Sequence, residues 1–519
     1  MGKSKINNKN IYRASLIITF ILINVLLLFA LGKILGYLNT GAERTGMLHL
    51  ERETVNTYLP KVNWSSLENP GREMEKQTLG EIENDYLFSW YVKNKALMNN
   101  NREGIEDFYT DSARVNLFRL VAHNKENKVH IEGTTLKHNP ALEFYSADGQ
   151  LVVFTDRNIV EYQQIYNDKQ LVTKVRDTAT YKVMMLLEDG FWRIRHMKRM
   201  DKVALEPETT EANPIYTSQN NQILKNGKKF TIKGINYYPK NSPWDLYGDN
   251  FNTDTIKADF NIIKNAGLNT IRIFIPYEEF GKADINQSKI EKLQQVLDIA
   301  QQKDLAVIVT LFDFYGDYSP ETWTLTHRHA EKIVSRFKDH DAILAWDVKN
   351  EPDLDFKNRG EDNVTDWLAT LIPMIKEWDS EHLVTVGWSN IEVATTLQQE
   401  VDFISYHYYD NIDHFEDKLK KLEAKTSKPL VLQEFGISSY TGFWNWFGSD
   451  EEDQAEYHKK MQAIFKRKQL AFVSWTLYDF PSVPSRVVGK KPWVRNKQKE
   501  FGFIDTDGNK KPSFLYISY

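Results

Sequence analysis

Residues 343–352 read ILAWDVKNEP, an apolar run that ends in an amide, a carboxylate and a proline. Such a run predicts a buried β-strand with Asn350 and Glu351 at its carboxyl end. Residues 430–436 repeat the pattern as LVLQEFG, with Glu434 near the end of the run. The two segments therefore predict two buried strands that each end in a glutamate.

Strand-like and helix-like patterns alternate eight times from residue 222 to the end of the chain. This alternation predicts an α/β fold, a (β/α)8 TIM barrel. An open doubly wound sheet is disfavoured, because no Gly-rich phosphate turn follows the first strand. The predicted strands are Phe230–Asn236, Thr270–Ile275, Ala306–Phe312, Ile343–Asn350, Leu383–Trp388, Phe403–His407, Leu430–Glu434 and Phe472–Thr476.

The two glutamates belong to the fourth and seventh predicted strands, which face one another across an eight-stranded ring. In barrel enzymes the reacting groups lie at the carboxyl ends of the strands. Glycoside hydrolysis requires two such carboxyl groups, one to protonate the leaving oxygen and one to attack or to activate water. Glu351 and Glu434 are therefore the candidate catalytic residues.

The Asn-Glu-Pro motif at 350–352 and the Glu-Phe-Gly motif at 434–436 resemble clan A glycoside hydrolases, particularly the family 5 cellulase and mannanase group. The resemblance implies a retaining mechanism, with Glu351 as acid/base and Glu434 as nucleophile. It requires no cofactor and no metal. It also implies that an arginine supports the nucleophile, an asparagine binds the sugar 2-hydroxyl, a histidine and a tyrosine end the sixth strand, and a tryptophan floors the subsite. The matching residues are Arg272, Asn350, His407, Tyr409 and Trp475.

The chain departs from the family pattern at two loops. Family 5 often carries histidine at the end of strand three, whereas this chain has Phe312-Asp313-Phe314, so the contacts of that subsite stay open. The loop after strand seven is rich in aromatic residues. Its Trp444 and Trp446 are candidates to stack on sugar rings, and the alternative is an aromatic cluster that faces a membrane or stabilises the loop. Asp313, His327 and His329 lack a metal-binding spacing, so no metal site is predicted.

An uncharged apolar run extends from Ala14 to Gly32. Its length approaches the roughly 30 Å thickness of a bilayer core, so it predicts a single transmembrane helix. Lysines and an arginine precede it, which predicts a cytoplasmic N-terminus and a periplasmic or extracellular catalytic domain. The alternatives are a cleaved signal peptide and a buried helix. The expected organisation is a tail and anchor at 1–38, a stalk at 39–80, an α+β domain at 81–205, a linker at 206–221 and the barrel at 222–519.

The middle segment begins with helical periodicity and continues as strands separated by turn signals at Asn167-Asp168 and Asp189-Gly190. This order resembles the cone-shaped nuclear-transport-factor-like fold. A role in spacing, docking or oligomerisation would suit such a domain.

Composition limits the remaining functions. The net charge of −5 comes from interspersed acids and bases, so no nucleic-acid partner is predicted, and the absence of cysteine excludes thiol chemistry and disulfides. The favoured function is a membrane-anchored retaining β-glycoside hydrolase that acts on a β-linked glucan or mannan and trims a polymer during synthesis or export. The alternatives are a transglycosidase and a non-catalytic glycan-binding subunit of a polysaccharide synthesis or export complex.

Overall fold

The computed structural model describes residues 8–39, 57–67, 72–200, 214–442, 448–489 and 491–519, with the side chains of the first helix described from 16 to 31. That first helix, α1, extends over Asn8–Asn39. Apolar side chains from Leu16 to Leu31 are exposed along it.

No helix in the described part of the chain is both long and apolar enough to cross a membrane. The prediction of a single-pass membrane protein anchored through Ala14–Gly32, with an external catalytic domain, is therefore wrong. The basic residues used for the orientation, which end at Arg13, lie outside the residues whose side chains are described.

Residues 57–200 contain three helices and a five-stranded antiparallel sheet. The sheet order is β2-β5-β6-β7, with β4 paired to β5, and the short strand β1 pairs with β3. The β6–β7 turn has positive φ at both Asp189 and Gly190, as the predicted tight hairpin requires. The elements are β1 (Lys61–Val62), α2 (Lys76–Asn99), α3 (Ile105–Phe108), α4 (Asp111–Glu126), β2 (Val129–Thr135), β3 (Lys137–His138), β4 (Pro140–Tyr145), β5 (Leu151–Asn167), β6 (Gln170–Glu188) and β7 (Phe191–Met200).

Part of the predicted stalk is packed structure. Lys61 and Val62 pair with Lys137 and His138 in parallel register, and α2 begins at Lys76, inside the segment expected to be a stalk. The backbone N–H of Leu59 donates to Thr324 Oγ1 at 3.0 Å. These residues of the predicted stalk therefore make tertiary contacts, with partners that the sequence pattern does not reveal.

Part of the predicted linker also forms a strand. Residues 206–213 lie outside the described residues, but Tyr216–Gln219 forms β8 in a small sheet with β9 (Gln222–Lys225) and β10 (Lys228–Lys229). Tyr216 is buried with residues at the starts of several barrel strands, including Ala306 and Leu383. The small sheet therefore covers the amino-terminal end of the barrel.

Eight parallel strands close into a barrel in chain order. Every residue of β12 and β13 is buried, which explains why these strands read as continuous apolar runs. The strands match the predicted set within a few residues at each end. They are β11 (Lys233–Asn236), β12 (Thr270–Pro276), β13 (Ala306–Asp313), β14 (Ile343–Asn350), β15 (Leu383–Trp388), β16 (Ile404–Tyr408), β17 (Leu430–Phe435) and β18 (Ala471–Ser474).

Helices surround the barrel, except that the described connection from β15 to β16 is formed by turns. The helices are α5 (Thr253–Asn265), α6 (Gln287–Gln302), α7 (Trp323–Phe337), α8 (Phe356–Arg359), α9 (Glu361–Trp378), α10 (Phe415–Glu423), α11 (Glu451–Lys468), α12 (Ser485–Val488) and α13 (Pro492–Lys499). Short 3₁₀ turns cover Pro320–Thr322, Pro352–Asp355, Ile412–His414 and Pro512–Tyr516.

The antiparallel sheet packs against the barrel helices α7 and α9. Tyr162 OH donates to Asp366 Oδ2 at 2.7 Å, and its ring lies 4.2 Å from that of Trp323. Gln164 Nε2 donates to Asn363 Oδ1 at 2.9 Å. These helices follow β13 and β14, so the contacts support the two strands that end at Asp313 and Asn350.

Candidate active site

The two glutamates lie at the carboxyl-terminal mouth of the barrel. Glu351 follows β14 directly and has a left-handed backbone with φ of 49°. Its N–H donates to the carbonyl of Gly387 on β15 at 2.7 Å, which holds the turn. Glu434 lies within β17, where its Cα is the register partner of His407 on β16. Both carboxylates are therefore held at the carboxyl-terminal ends of barrel strands.

The distance between the two carboxylates is the main geometric result. One oxygen of Glu351, one oxygen of Glu434 and a ring nitrogen of His407 all lie within 4.8 Å of one another. His407 Nδ1 is 2.9 Å from Glu351 Oε1 and 3.8 Å from Glu434 Oε2. Retaining glycosidases hold their two carboxyl groups about 5–5.5 Å apart, whereas inverting enzymes separate them by about 6.5–9.5 Å.

Arg272, predicted to support the nucleophile, is completely buried beneath the site. Its Nη1 donates to Glu434 Oε2 at 3.1 Å and its Nη2 donates to Asn350 Oδ1 at 2.8 Å. The fixed positive charge favours an ionised carboxylate and disfavours a metal cation beside Glu434. The second bond also orients the Asn350 amide, whose Nδ2 has no acceptor among the described residues.

Tyr409, also predicted at the site, contacts the second glutamate. Its OH donates to Glu434 Oε1 at 2.6 Å, so both oxygens of Glu434 accept a hydrogen bond. Trp475, at the end of β18, is 5% exposed and its Nε1 has no described partner. The structure therefore brings together seven of the nine predicted site residues. Trp444 and Trp446 lie outside the described residues.

Two residues that hold the site together were missed by the sequence analysis. Asp347 Oδ2 accepts from Arg272 Nη2 at 2.7 Å and from Thr310 Oγ1 at 2.7 Å, and its Oδ1 accepts from the N–H of Gly387 at 2.9 Å. A Cβ on Gly387 would lie 2.5 Å from Gln433 Oε1 and 3.0 Å from Arg272 Nη2. One signal in the sequence could have found the aspartate: successive side chains of a strand alternate between its faces, so Asp347 and Lys349 are two polar residues on the same face of an otherwise apolar strand.

A cavity of about 400 Å³ opens above the glutamates. Its wall is largely aromatic and aliphatic, with the carboxylates at the base, an arrangement typical of sugar-binding clefts. The wall residues include Tyr238, Trp244, Phe274, Asp313, Phe314, Tyr409, Trp475, Val487, Val488, Val494, Lys497 and Phe501.

The pKa values of the two glutamates shift in opposite directions. Burial raises the pKa of Glu434, and the charge of Glu351 adds to the rise against the lowering effects of His407, Arg272 and Tyr409. Burial alone would raise the pKa of Glu351 as well, but the hydrogen bond and the charge of His407 hold that pKa below its ordinary value. The two directions differ because His407 Nδ1 lies 2.9 Å from Glu351 Oε1 and 3.8 Å from Glu434 Oε2.

The residues considered as a metal site do not converge. His327 Nδ1 lies 2.7 Å from the carbonyl of Trp323, and His329 Nδ1 lies 2.9 Å from the carbonyl of Lys282. Burial lowers the pKa of both histidines to about 4. Asp313 instead faces the cavity.

Residues 223–481 match the family described as Cellulase (glycosyl hydrolase family 5). The barrel has a fold like that of glycoside hydrolase family 5. The match covers the strands that carry both glutamates, and the closed eight-stranded barrel confirms the predicted TIM barrel.

The chain is also similar to curated and solved proteins. A β-glucuronidase of Chlorocebus aethiops is 25% identical over 306 residues, and that of Homo sapiens is 24% identical over 309 residues. Each alignment covers 54% of this chain and 43% of the relative, so the chain spans less than half the length of these relatives. A solved exo-β-1,4-mannosidase from Opitutaceae bacterium strain TAV5 is 18% identical with a TM-score of 0.48, over 56% of this chain and 59% of that chain.

Proposed function

We propose that the protein is a retaining β-glycoside hydrolase, with Glu434 as the nucleophile and Glu351 as the acid/base. The observation that carries this proposal is the separation of the two carboxylates, whose nearest oxygens lie within 4.8 Å. That distance leaves no room for a water molecule to attack from the opposite face, so the sugar would be transferred to the enzyme first. The proposed substrate is a β-linked glucan or mannan, or an oligosaccharide derived from one.

The roles follow from the contacts of each glutamate. Arg272 and Tyr409 donate to the two oxygens of Glu434, and both bonds favour the anion that attacks the anomeric carbon. Glu351 protonates the leaving oxygen and later removes a proton from the incoming water. Two carboxylates this close titrate as a coupled pair. The reaction requires the proton of that pair on Glu351, next to the glycosidic oxygen.

The packing of residues 57–200 against α7 and α9 supports a bracing role for this region. Lys174 Nζ lies 2.8 Å from Asp362 and 2.7 Å from Asp366 of α9, and Lys95 Nζ lies 2.5 Å from Glu321 before α7. We propose that residues 81–205 form a separate α+β domain that steadies the loops after β13 and β14. The nuclear-transport-factor-like resemblance and a polysaccharide synthesis or export partner stay predictions.

Azide rescue tests the assignment of the two glutamates. The variants Glu434→Ala and Glu351→Ala would each be incubated with sodium azide and the activated 2,4-dinitrophenyl β-glycosides of glucose, mannose and glucuronic acid. The third sugar is included because the curated relatives are β-glucuronidases. We expect an α-glycosyl azide from Glu434→Ala and a β-glycosyl azide from Glu351→Ala, each identified by NMR. Reversed anomers would exchange the roles, and rescue of neither variant would refute the proposal.

Product analysis separates hydrolysis from its alternatives. Wild-type protein and Glu434→Gln would be incubated with soluble β-glucans and mannans and the products analysed by mass spectrometry. Shorter chains from wild type alone support hydrolysis. Chains longer than the substrate would favour the transglycosidase, and binding with no product from either protein would favour a non-catalytic glycan-binding subunit.

A further inference from the structure

Asp313, the last residue of β13, is a buried carboxylate that faces the cavity. It is 4% exposed. Its only hydrogen bond to a described residue is a long one, in which Tyr238 OH donates to Oδ2 at 3.3 Å. An ionised carboxylate can accept about four hydrogen bonds, and a buried one is costly when they are missing. Most of the acceptor capacity of Asp313 is therefore unused by the protein.

The charges around Asp313 keep it available as an acceptor. Burial raises its pKa to about 6, against the lowering effect of Lys349 and Arg272 and the weak bond from Tyr238. The carboxyl group is therefore mainly ionised at neutral pH. Neither cation lies within ion-pair distance of it among the described residues, because Arg272 is paired with Asp347 and Glu434 and Lys349 Nζ donates to the carbonyl of Asn350 at 2.6 Å.

Phe314, the next residue, has a strained backbone. Its φ is +59°, and the only other aromatic residue with positive φ in the described chain is Trp244, at +57°. A bulky residue in this region is rare and costs free energy, which functional sites tolerate. Both rings line the cavity, and Phe314 is 41% exposed.

Arg486 of α12 holds the two strained residues in place. Its guanidinium lies 5.6 Å from the centroid of the Phe314 ring, and its Nη2 donates to the carbonyl of Trp244 at 3.1 Å. The exposed ring and the Asp313 carboxylate therefore line the same cavity. Aromatic rings and hydrogen-bonding polar groups are what ligand-binding pockets typically offer.

We propose that Asp313 and Phe314 form a sugar-binding subsite beside the catalytic glutamates. The carboxylate accepts hydrogen bonds from two adjacent hydroxyls of a hexose, and the ring of Phe314 packs against an apolar face of the sugar. A sugar substituted at those hydroxyls is rejected, because the substituted group has no proton to donate to the buried carboxylate. The inference rests on the proposed function, since it places the substrate of that reaction.

A double-mutant cycle with deoxy sugars tests the role of Asp313. The full-length protein and Asp313→Asn would be assayed on the 4-nitrophenyl β-glycoside that the wild type cleaves and on its monodeoxy analogues. We expect Asp313→Asn to lower kcat/KM about 10- to 150-fold on the parent, the usual range for hydrogen bonds to a charged group. The loss should be under about 3-fold on the analogue that lacks the contacted hydroxyl. An equal loss on every analogue would show a structural role and overturn the proposal.

A matched control comes from the same loop. Asp317 accepts from the N–H of Ser319 at 3.1 Å and does not line the cavity, so Asp317→Asn should leave kcat/KM unchanged. Phe314→Gly removes both the ring and the backbone strain. It should weaken binding of substrate while the melting temperature holds or rises. A lower melting temperature with unchanged KM would show that Phe314 only packs.

A binding measurement keeps the subsite separate from the chemistry. Cellohexaose and mannohexaose would be titrated into Glu434→Gln, with and without Asp313→Asn, and followed by tryptophan fluorescence. An affinity loss of about 10-fold on adding Asp313→Asn supports the subsite even if azide rescue were to refute the roles of the glutamates. Equal affinity of the two proteins, or binding of neither sugar, would overturn the subsite. If the subsite fails this test while azide still rescues Glu434→Ala and Glu351→Ala as expected, the proposed function stands without the subsite.

Discussion

Replacing Tyr409 by phenylalanine removes one hydrogen bond from the proposed nucleophile and little else. The phenol OH donates to Glu434 Oε1 at 2.6 Å, and the side chain is 43% exposed, so it contributes little to folding. A hydrogen bond to a charged group contributes about 1.5–3 kcal/mol. Tyr409→Phe should therefore lower kcat/KM by about 10- to 150-fold.

The same substitution should move the pH dependence. The Tyr409 bond lowers the pKa of Glu434, whereas burial and the charge of Glu351 raise it. Without the bond the pKa of Glu434 rises further. Since the nucleophile must be ionised, the acid limb of kcat/KM should shift to higher pH.

The assay is initial-rate hydrolysis of the 4-nitrophenyl β-glycoside that the wild type cleaves, between pH 4 and 9. Tyr408→Phe is the matched control, because the Tyr408 OH donates to the carbonyl of Asn411 at 2.6 Å, away from the glutamates. It should retain both the rate and the profile. A Tyr409→Phe rate within about 3-fold of wild type, with an unmoved acid limb, would refute the assignment of Glu434 as the nucleophile.

Three further variants test the surroundings of the site. Asp347→Asn breaks a buried ion pair with Arg272 and should lower the free energy of unfolding by about 3–5 kcal/mol; a loss below about 1 kcal/mol in urea titration would contradict this. Gly387→Ala places a Cβ 3.0 Å from Arg272 Nη2 and should lower kcat at least about 10-fold; wild-type turnover would show that the network adapts. Burial lowers the pKa of His458 to about 3. As the pH falls below about 6.5, this histidine is therefore protonated in the unfolded chain while it is still neutral in the folded protein. Urea titrations between pH 6 and 4 should therefore show that His458→Leu loses about 1.4 kcal/mol less stability per pH unit than wild type, and parallel curves would refute the neutral histidine.

The glutamate pair could be read from the sequence because barrel strands are buried on both faces. A parallel strand such as Ile343–Asn350 is a continuous apolar run, and the first polar residues after it mark the mouth of the barrel. Eight such runs predict the closed sheet, and the geometry of the sheet brings Glu351 and Glu434 together. The middle hairpin was readable for a similar reason, because Asp189-Gly190 carries the positive φ that its turn needs.

The apolar run at the N-terminus shows that hydropathy along the chain does not by itself predict how a segment is placed in the structure. Its composition suggested a membrane span, yet no described helix is long and apolar enough to be one. The residues before β1 and around Tyr216 were likewise read as stalk and linker from their polarity. They pack because other segments bind them: the N–H of Leu59 donates to Thr324 Oγ1, and Tyr216–Gln219 pairs with Gln222–Lys225. Polarity does not encode those partners.

Local sequence determined the eight barrel strands to within a few residues and which side chains stand at the barrel mouth. Only the tertiary structure decided how those side chains act on one another. Asp347 holds Arg272, His407 lies nearer to Glu351 than to Glu434, and Asp313 is left with one weak bond. Electrostatic energy depends on distance in space, and these groups come from strands far apart in the chain. Their pKa values and orientations therefore follow from the folded arrangement alone.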